Sequence, residues 1–270
     1  MIPSPLTLSR SRLETFLACQ RRFQLRYLRR LPWPPQPLSA DTEETLARGQ
    51  QFHQLLERHF LGMAVEPGLI GDERVRHWWD LFQRSGLNLP EGRPFHERPL
   101  PELTLTIPVG AHLLVGRFDL LILGTQDGQP FAHLFDWKTG RPRREADLRR
   151  DWQTRLYLAM LAEGGQALLE DVSPEAITIT YWYAAAPDEP RTIRYDAAWH
   201  AQNWAEIQAL AAQIDAQLSA NEWPLTTDWI LCRDCAYQVY CGRQEAGSAV
   251  PIADEDAEPE ADWLLEPDLP

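Results

Sequence analysis

Apolar positions along the chain recur with two different periods. Leu13, Phe16, Leu17 and Phe23 follow the spacing of one helix face. Ser11 and Glu14 read as a capping box at its start, Cys19 falls within it, and the four prolines between positions 31 and 37 end it. A second helix is predicted over 41–60, with Leu55, Leu56 and Phe60 apolar. A third spans 72–82, where Val75, Trp78, Trp79 and Phe82 read as core rather than as stacking platforms for bases. The period then drops to two: Leu103, Leu105 and Ile107 alternate with polar residues, and a long apolar run covers 112–123. Turn-forming residues at 126–129 send the chain back over 130–138, which predicts an antiparallel meander with Asp119 and Asp136 on neighbouring strands. A helix over 146–162 carries the stripe Leu148, Trp152, Leu156 and Met160. Strands over 177–183 and 192–195 and a long helix over 197–220 follow. The mixture predicts an α/β (α+β) fold, and no internal repeat is present.

Charge changes the picture less than its total suggests. The net charge is −13, but the last twenty residues hold eight acids and no base, so residues 1–250 carry −13 + 8 = −5. A value of that size leaves room for a local basic groove. The acidic stretch 251–270 is expected to be disordered. No apolar run has the length of a membrane span, and the first residues lack the apolar core of a signal peptide, so a cytoplasmic protein with no membrane partner is expected. In a reducing compartment Cys19, Cys232, Cys235 and Cys241 are poor disulfide candidates. Three of them form C-x2-C-x5-C, a ligand spacing. Four thiolates suit an iron–sulfur cluster or a structural zinc ion equally. A metal joining Cys19 to the other three would clip the N-terminal helix to the C-terminal segment across more than two hundred residues.

The chemistry concentrates in Phe135-Asp136-Trp137-Lys138-Thr139-Gly140. Asp136 and Lys138 are two apart on a strand end and so share a face. Such a pair is either a surface ion pair or a place where a carboxylate holds a metal and an ammonium orients a water. Lys138 is the only lysine in the chain, which suggests a task that arginine cannot perform. Asp119, inside an apolar run, needs a partner: a metal ion, or Arg117. His53 is a half-buried helical histidine or a ligand. Gln153 and Tyr157 are an i, i+4 pair. The five arginines between 141 and 150, Arg141, Arg143 and Arg144 among them, are a solvated helix start or an edge that contacts phosphates.

Taken in order, G-x3-H at Gly49 to His53, G-x2-D at Gly116 to Asp119, D-x-K-T-G at Asp136 to Gly140 and Q-x3-Y at Gln153 to Tyr157 resemble the PD-(D/E)XK nuclease superfamily in its RecB-like branch. The cysteine pattern is similar to the iron–sulfur members of that branch, among them the CRISPR-associated RecB-like exonucleases and the nuclease domain of AddB. The resemblance covers roughly 9–242. It implies a restriction-endonuclease-like core with a mixed central sheet flanked by helices. On this reading residues 1–250 form one domain, with the nuclease core at 41–220 and cluster-binding parts at 9–30 and 228–243. It implies Mg2+ or Mn2+ on His53, Asp119, Asp136 and the Trp137 carbonyl, with Lys138 acting on the attacking water. Gln153 and Tyr157 would position the strand, and the four cysteines would hold a 4Fe–4S cluster, with structural zinc as the alternative. The expected activity is metal-dependent cleavage of DNA, exonucleolytic on single strands, in repair, recombination or CRISPR adaptation. The alternative is a weakly catalytic or non-catalytic nucleic-acid-binding subunit serving a helicase or integrase. The one lysine rules out a P-loop here, so a helicase would be a separate chain. Phe118, rather than proline, precedes the first aspartate, which departs from the superfamily's name but suits the RecB-like G-x-x-D form.

Overall fold

The chain was analysed as a computed structural model, which describes residues 5–32, 39–85, 99–126, 128–165, 168, 172–233 and 235–247. The acidic stretch 251–270 and most of the proline-rich stretch lie outside these residues.

The expected meander is present. Strands β2 (Leu100–Val109), β3 (His112–Gln126) and β4 (Gln129–Lys138) are consecutive antiparallel neighbours, with Leu105 opposite Gly116 and Leu121 opposite Leu134. β4 then pairs in parallel with β5 (Ile177–Tyr183), which pairs antiparallel with the edge strand β6 (Arg191–Arg194). A short strand that the alternation did not reveal, β1 (Thr7–Leu8), lies parallel to the start of β3. The sheet is therefore mixed, and the parallel β4–β5 step requires a crossover. That crossover carries α5 (Glu145–Arg150) and α6 (Trp152–Gly164).

The two faces of the sheet bury separate cores. One packs Leu13 and Phe16 of α1 (Arg10–Ala18), Leu156 and Leu161 of α6, and Ile207 and Ile214 of α7 (Ala197–Ala220). The other packs Phe52 and Leu56 of α3 (Ala40–Phe60) and Val75, Trp79 and Phe82 of α4 (Glu73–Ser85) against Trp137 and Trp182. Trp78 and Trp79 are buried in this second core, as the helical spacing indicated.

Strands β2 and β3 change phase at one level. On β3, Leu114 and Phe118 face the first core; beyond Asp119, Leu121 and Leu123 do so, and Leu120 and Ile122 turn to the second. On β2 the level is Glu102, between Pro101 opposite Leu120 and Leu103 opposite Phe118, and its φ is +51°. That left-handed backbone is unusual for glutamate. The phase change takes Glu102 and Asp119 out of the strict alternation, beside the C-terminal end of β4.

Three local expectations are corrected. The cap of α1 is Ser9, whose hydroxyl accepts from the Arg12 amide; Ser11 bonds Ser9, and Glu14 pairs with Arg10 instead of reaching back. Cys19 is not inside the helix but at its extended C-cap, between α1 and α2 (Gln20–Phe23). The helix expected over 146–162 is two helices. Asp151 takes extended backbone, ends α5, and caps α6 by accepting from the Gln153 amide at 2.8 Å. Unbroken apolar periodicity hid a break made by one short carboxylate.

Candidate active site

The phase change in β2 and β3 and the C-terminal end of β4 meet at one place, which helices from both faces reach. From α3 comes His53. Its Nδ1 lies 3.5 Å from Asp119 Oδ1, and its Nε2 donates to the Trp137 carbonyl at 3.0 Å. Asp119 also accepts from the Trp137 amide at 2.8 Å. Glu102 completes the group: one ligand atom from each of His53, Glu102 and Asp119 lies within 4.8 Å of the other two. All three are half-buried. Two carboxylates and one imidazole form a donor set for a hard divalent cation such as Mg2+ or Mn2+.

The electrostatics follow from the crowding. Burial works against the charged form of Asp119, but His53 outweighs it and holds the carboxyl below its usual range, with help from Lys138 and the Trp137 amide. Burial would depress His53, yet Asp119 holds its imidazolium up to about 9. Burial and the neighbouring Asp119 push Glu102 up to about 7, against the pull of Arg117. Arg117 pairs with Glu102 at 3.1 Å; the partner sequence reasoning offered Asp119 is taken by another acid.

Beside this triad sits a second arrangement. Asp136 and Lys138 lie on the β4 face toward α6, with Nζ 2.9 Å from Asp136 Oδ1. Gln153 bridges them: its Nε2 donates to Asp136 Oδ2 at 2.8 Å and its Oε1 accepts from Lys138 at 3.3 Å. All three are buried, where an unpaired charge would be costly. In this structure Asp136 is turned to Lys138 and Gln153, outside the close triad. Tyr157, one turn along α6, is buried with its ring edge-on to Phe118 at 4.9 Å. Gly116 allows that approach, since a Cβ there would meet Met160 Sδ at 3.1 Å and Tyr157 Cε1 at 3.3 Å.

Four of the five arginines between 141 and 150 are in local ion pairs: Arg143 with Asp151 at 2.6 Å, Arg144 and Arg150 with Asp147, and Arg149 with Glu145. Arg141 is exposed and has no ion pair among the described residues. Sequence reasoning missed two residues at the site. Glu102 directly precedes the alternating stretch, and that position was its one available signal. Arg10, whose guanidinium donates to Gln153 Oε1 at 3.3 Å from 143 positions away, had none.

The four cysteines line one pocket at the meeting of the N- and C-terminal segments, with Arg22 and Arg243 beside them. The Arg21 amide donates to the Pro224 carbonyl, and the Tyr237 hydroxyl donates to the Leu31 carbonyl at 2.8 Å, so hydrogen bonds join the two segments beside the cysteines. No three of the four sulfurs lie within 4.8 Å of one another. Burial pushes the thiols of Cys235 and Cys241 up. Arg22 Nε and Arg243 Nη1 are buried without a hydrogen-bond acceptor among the described residues.

The PD-(D/E)XK nuclease superfamily pattern matches residues 7–242. No curated protein matches the sequence. The crystal structure of a candidate exonuclease from Eubacterium rectale superposes with a TM-score of 0.51, at 11% identity over 91% of this chain and 90% of that one. The crystal structure of SSO0001 aligns with a TM-score of 0.35, at 17% identity over 89% of this chain and 88% of that one. At 11% identity the first of these superpositions speaks to fold alone.

Proposed function

This chain belongs to the PD-(D/E)XK nuclease superfamily, and from that premise we propose that it is a metal-dependent deoxyribonuclease of the RecB-like branch, acting exonucleolytically on single strands. The observation that carries the reading is the adjacency of a cation-ready triad, His53, Glu102 and Asp119, to the buried Asp136–Lys138 pair. When bound, Mg2+ or Mn2+ lowers the pKa of a water and offsets phosphate charge. His53, Glu102 and Asp119 would hold it, with Asp136 and the Trp137 carbonyl as further oxygen donors on the next strand. Lys138 orients the attacking water and faces the charge that develops on the phosphate. Gln153 holds Lys138 and Asp136 together, and Tyr157 sets the height of α6 above β3.

The cysteine pocket is proposed to hold a 4Fe–4S cluster. A single tetrahedral zinc, with bonds of about 2.3 Å, asks for tighter convergence of sulfurs than the pocket presents. Two buried guanidinium N–H groups that lack acceptors suit an anionic thiolate-bound cluster. Iron and sulfide in anaerobically purified protein support this part; zinc alone refutes it.

The decisive experiment is cleavage of end-labelled single- and double-stranded DNA with Mg2+, Mn2+ or EDTA, alongside Lys138→Ala and Asp119→Ala. Metal-dependent cleavage by the wild type that both variants lose is the expected result. Full activity in both variants sinks the assignment. A second reading, a subunit that works only on a helicase or integrase, is favoured by the exposed Trp229, Ile230, Val239 and Tyr240 within the one short cysteine-bearing segment. Cleavage that appears only when such a partner is added would select it.

A further inference from the structure

We propose that the acidic segment 251–270 docks on the cysteine-bearing end of its own chain. Trp263, Leu264 and Leu265 would cover the exposed Val239 and Tyr240, and the acids that flank them, Asp262 and Glu266, would pair with Arg29 and Arg30. The docking depends on no step of the nuclease reading.

The receiving face is built where the first and last described segments meet. From Thr15 to Ala40 the sequence holds five arginines and no acid. Elsewhere arginines find carboxylates: Arg48 pairs with Asp72 at 2.8 Å and Arg117 with Glu102 at 3.1 Å. Arg29 and Arg30 are exposed and have no ion pair among the described residues. The turn that carries them is fixed to the C-terminal segment. The Leu31 amide donates to the Leu25 carbonyl at 2.9 Å, and the Leu31 carbonyl accepts from the Tyr237 hydroxyl at 2.8 Å. The Tyr237 ring in turn meets Tyr240 edge-on, with centroids 6.3 Å apart. Val239 and Tyr240 are 73% and 66% exposed, so each still has most of its surface to bury. Two cations and two exposed apolar side chains thus stand along one seam.

An occupant has to suit both halves of that face. A purely apolar helix would leave the arginines uncompensated, and a plain run of acids would leave Val239 and Tyr240 in water. Residues 262–266, Asp-Trp-Leu-Leu-Glu, place an apolar centre between two carboxylates. The whole segment 251–270 has eight acids and no base, so its field favours the same encounter. Its starting point is also close by. The Gly247 carbonyl accepts from Gln238 Nε2 at 2.8 Å, which holds the last described residue beside Val239. From Gly247 to Asp262 is 262 − 247 = 15 positions, a reach of up to about 50 Å. A tether of this kind gives an effective concentration on the order of 1 mM, so an outside partner at micromolar levels would need roughly thousandfold tighter contacts to compete.

The test is hydrogen–deuterium exchange of the full chain, read by mass spectrometry on peptides covering 262–266. At low salt these amides should exchange about tenfold more slowly than in a free peptide of residues 251–270, the protection that a docking constant of about 0.1 mM gives at about 1 mM. High salt should remove most of that protection, because exposed ion pairs are screened. Arg29→Gln combined with Arg30→Gln should remove it at low salt. Trp263→Ala combined with Asp262→Asn and Glu266→Gln alters only the docking segment and should speed exchange around Val239 and Tyr240. That arm stands even if the arginine variant fails to fold. Exchange of 262–266 at the free-peptide rate in the wild type at low salt overturns the proposal. Slowing that neither salt nor the arginine variant relieves overturns it too, because the segment then docks elsewhere. Slowing that disappears on dilution assigns the segment to a second copy of the chain and overturns docking on its own.

Discussion

Single residues set the chemistry through their immediate neighbours. His53 is held protonated up to about 9 and Glu102 up to about 7, and both must lose their protons to bind a cation. The sign follows directly: a site that releases protons on binding gains affinity as pH rises. Mn2+ affinity should therefore climb from about pH 6 to about pH 9, with proton uptake by a weak buffer during calorimetric titration as the direct readout. Glu102→Gln should weaken Mn2+ binding about tenfold or more and flatten the lower part of that rise; a variant with wild-type affinity removes Glu102 from the ligand set. Lys138→Arg should be no better than Lys138→Ala in cleavage, because a planar fork cannot take the place of a compact ammonium 2.9 Å from Asp136 in a buried slot. The motif residues were legible because chemistry restricts residue type: one lysine, an aspartate in an apolar run, and a histidine after a glycine. Glu102 was not, since its role comes from a left-handed backbone that no local pattern announces.

Elements place these residues, and their contacts separate the two motif glycines. Gly116 on β3 sits under Met160 and Tyr157, where a methyl group would fit only if those side chains gave way, so the larger side chain of Gly116→Val should lift α6, cost about 1–3 kcal/mol of unfolding free energy and lower cleavage by displacing Gln153. Gly49 in α3 is different: a Cβ there would make only an ordinary 3.6 Å contact with Thr139 Oγ1. Gly49→Ala should stabilise the protein by about 0.5–1 kcal/mol in chemical denaturation, the usual gain for removing a glycine from a helix interior. Most elements could be read from periodicity: β5 and α7 fall where the pattern put them, and α3 within a residue. The failures share a cause. Ser9 displaced Ser11 as cap, Cys19 ended α1, and Asp151 split a helix, each through a polar side chain or backbone turn that leaves the apolar spacing untouched. β1 was too short, at two residues, to show any period.

At the scale of the whole molecule, two cores on opposite faces of one sheet fix a site at its end, and a third region, the cysteine pocket, joins the two terminal segments. Replacing Cys241 with Ser should lower iron content and the melting temperature together while leaving the triad's Mn2+ affinity intact, since α3, β2 and β3 hold that triad from within the sheet. Loss of Mn2+ binding in that variant would show the two regions to be one cooperative unit. The same closure has a bearing on how the protein is made. α1 ends at Cys19, and just beyond it Arg21 and Leu31 bond to Pro224 and Tyr237, which are translated more than two hundred residues later. During translation the sheet and both its cores can assemble while α1 still lacks the segment that anchors its Cys19 end. The last part of the fold to close is thus the seam that Arg21 and Leu31 make with the C-terminal segment, so a chain still on the ribosome can hold both cores of its sheet before its two ends are joined.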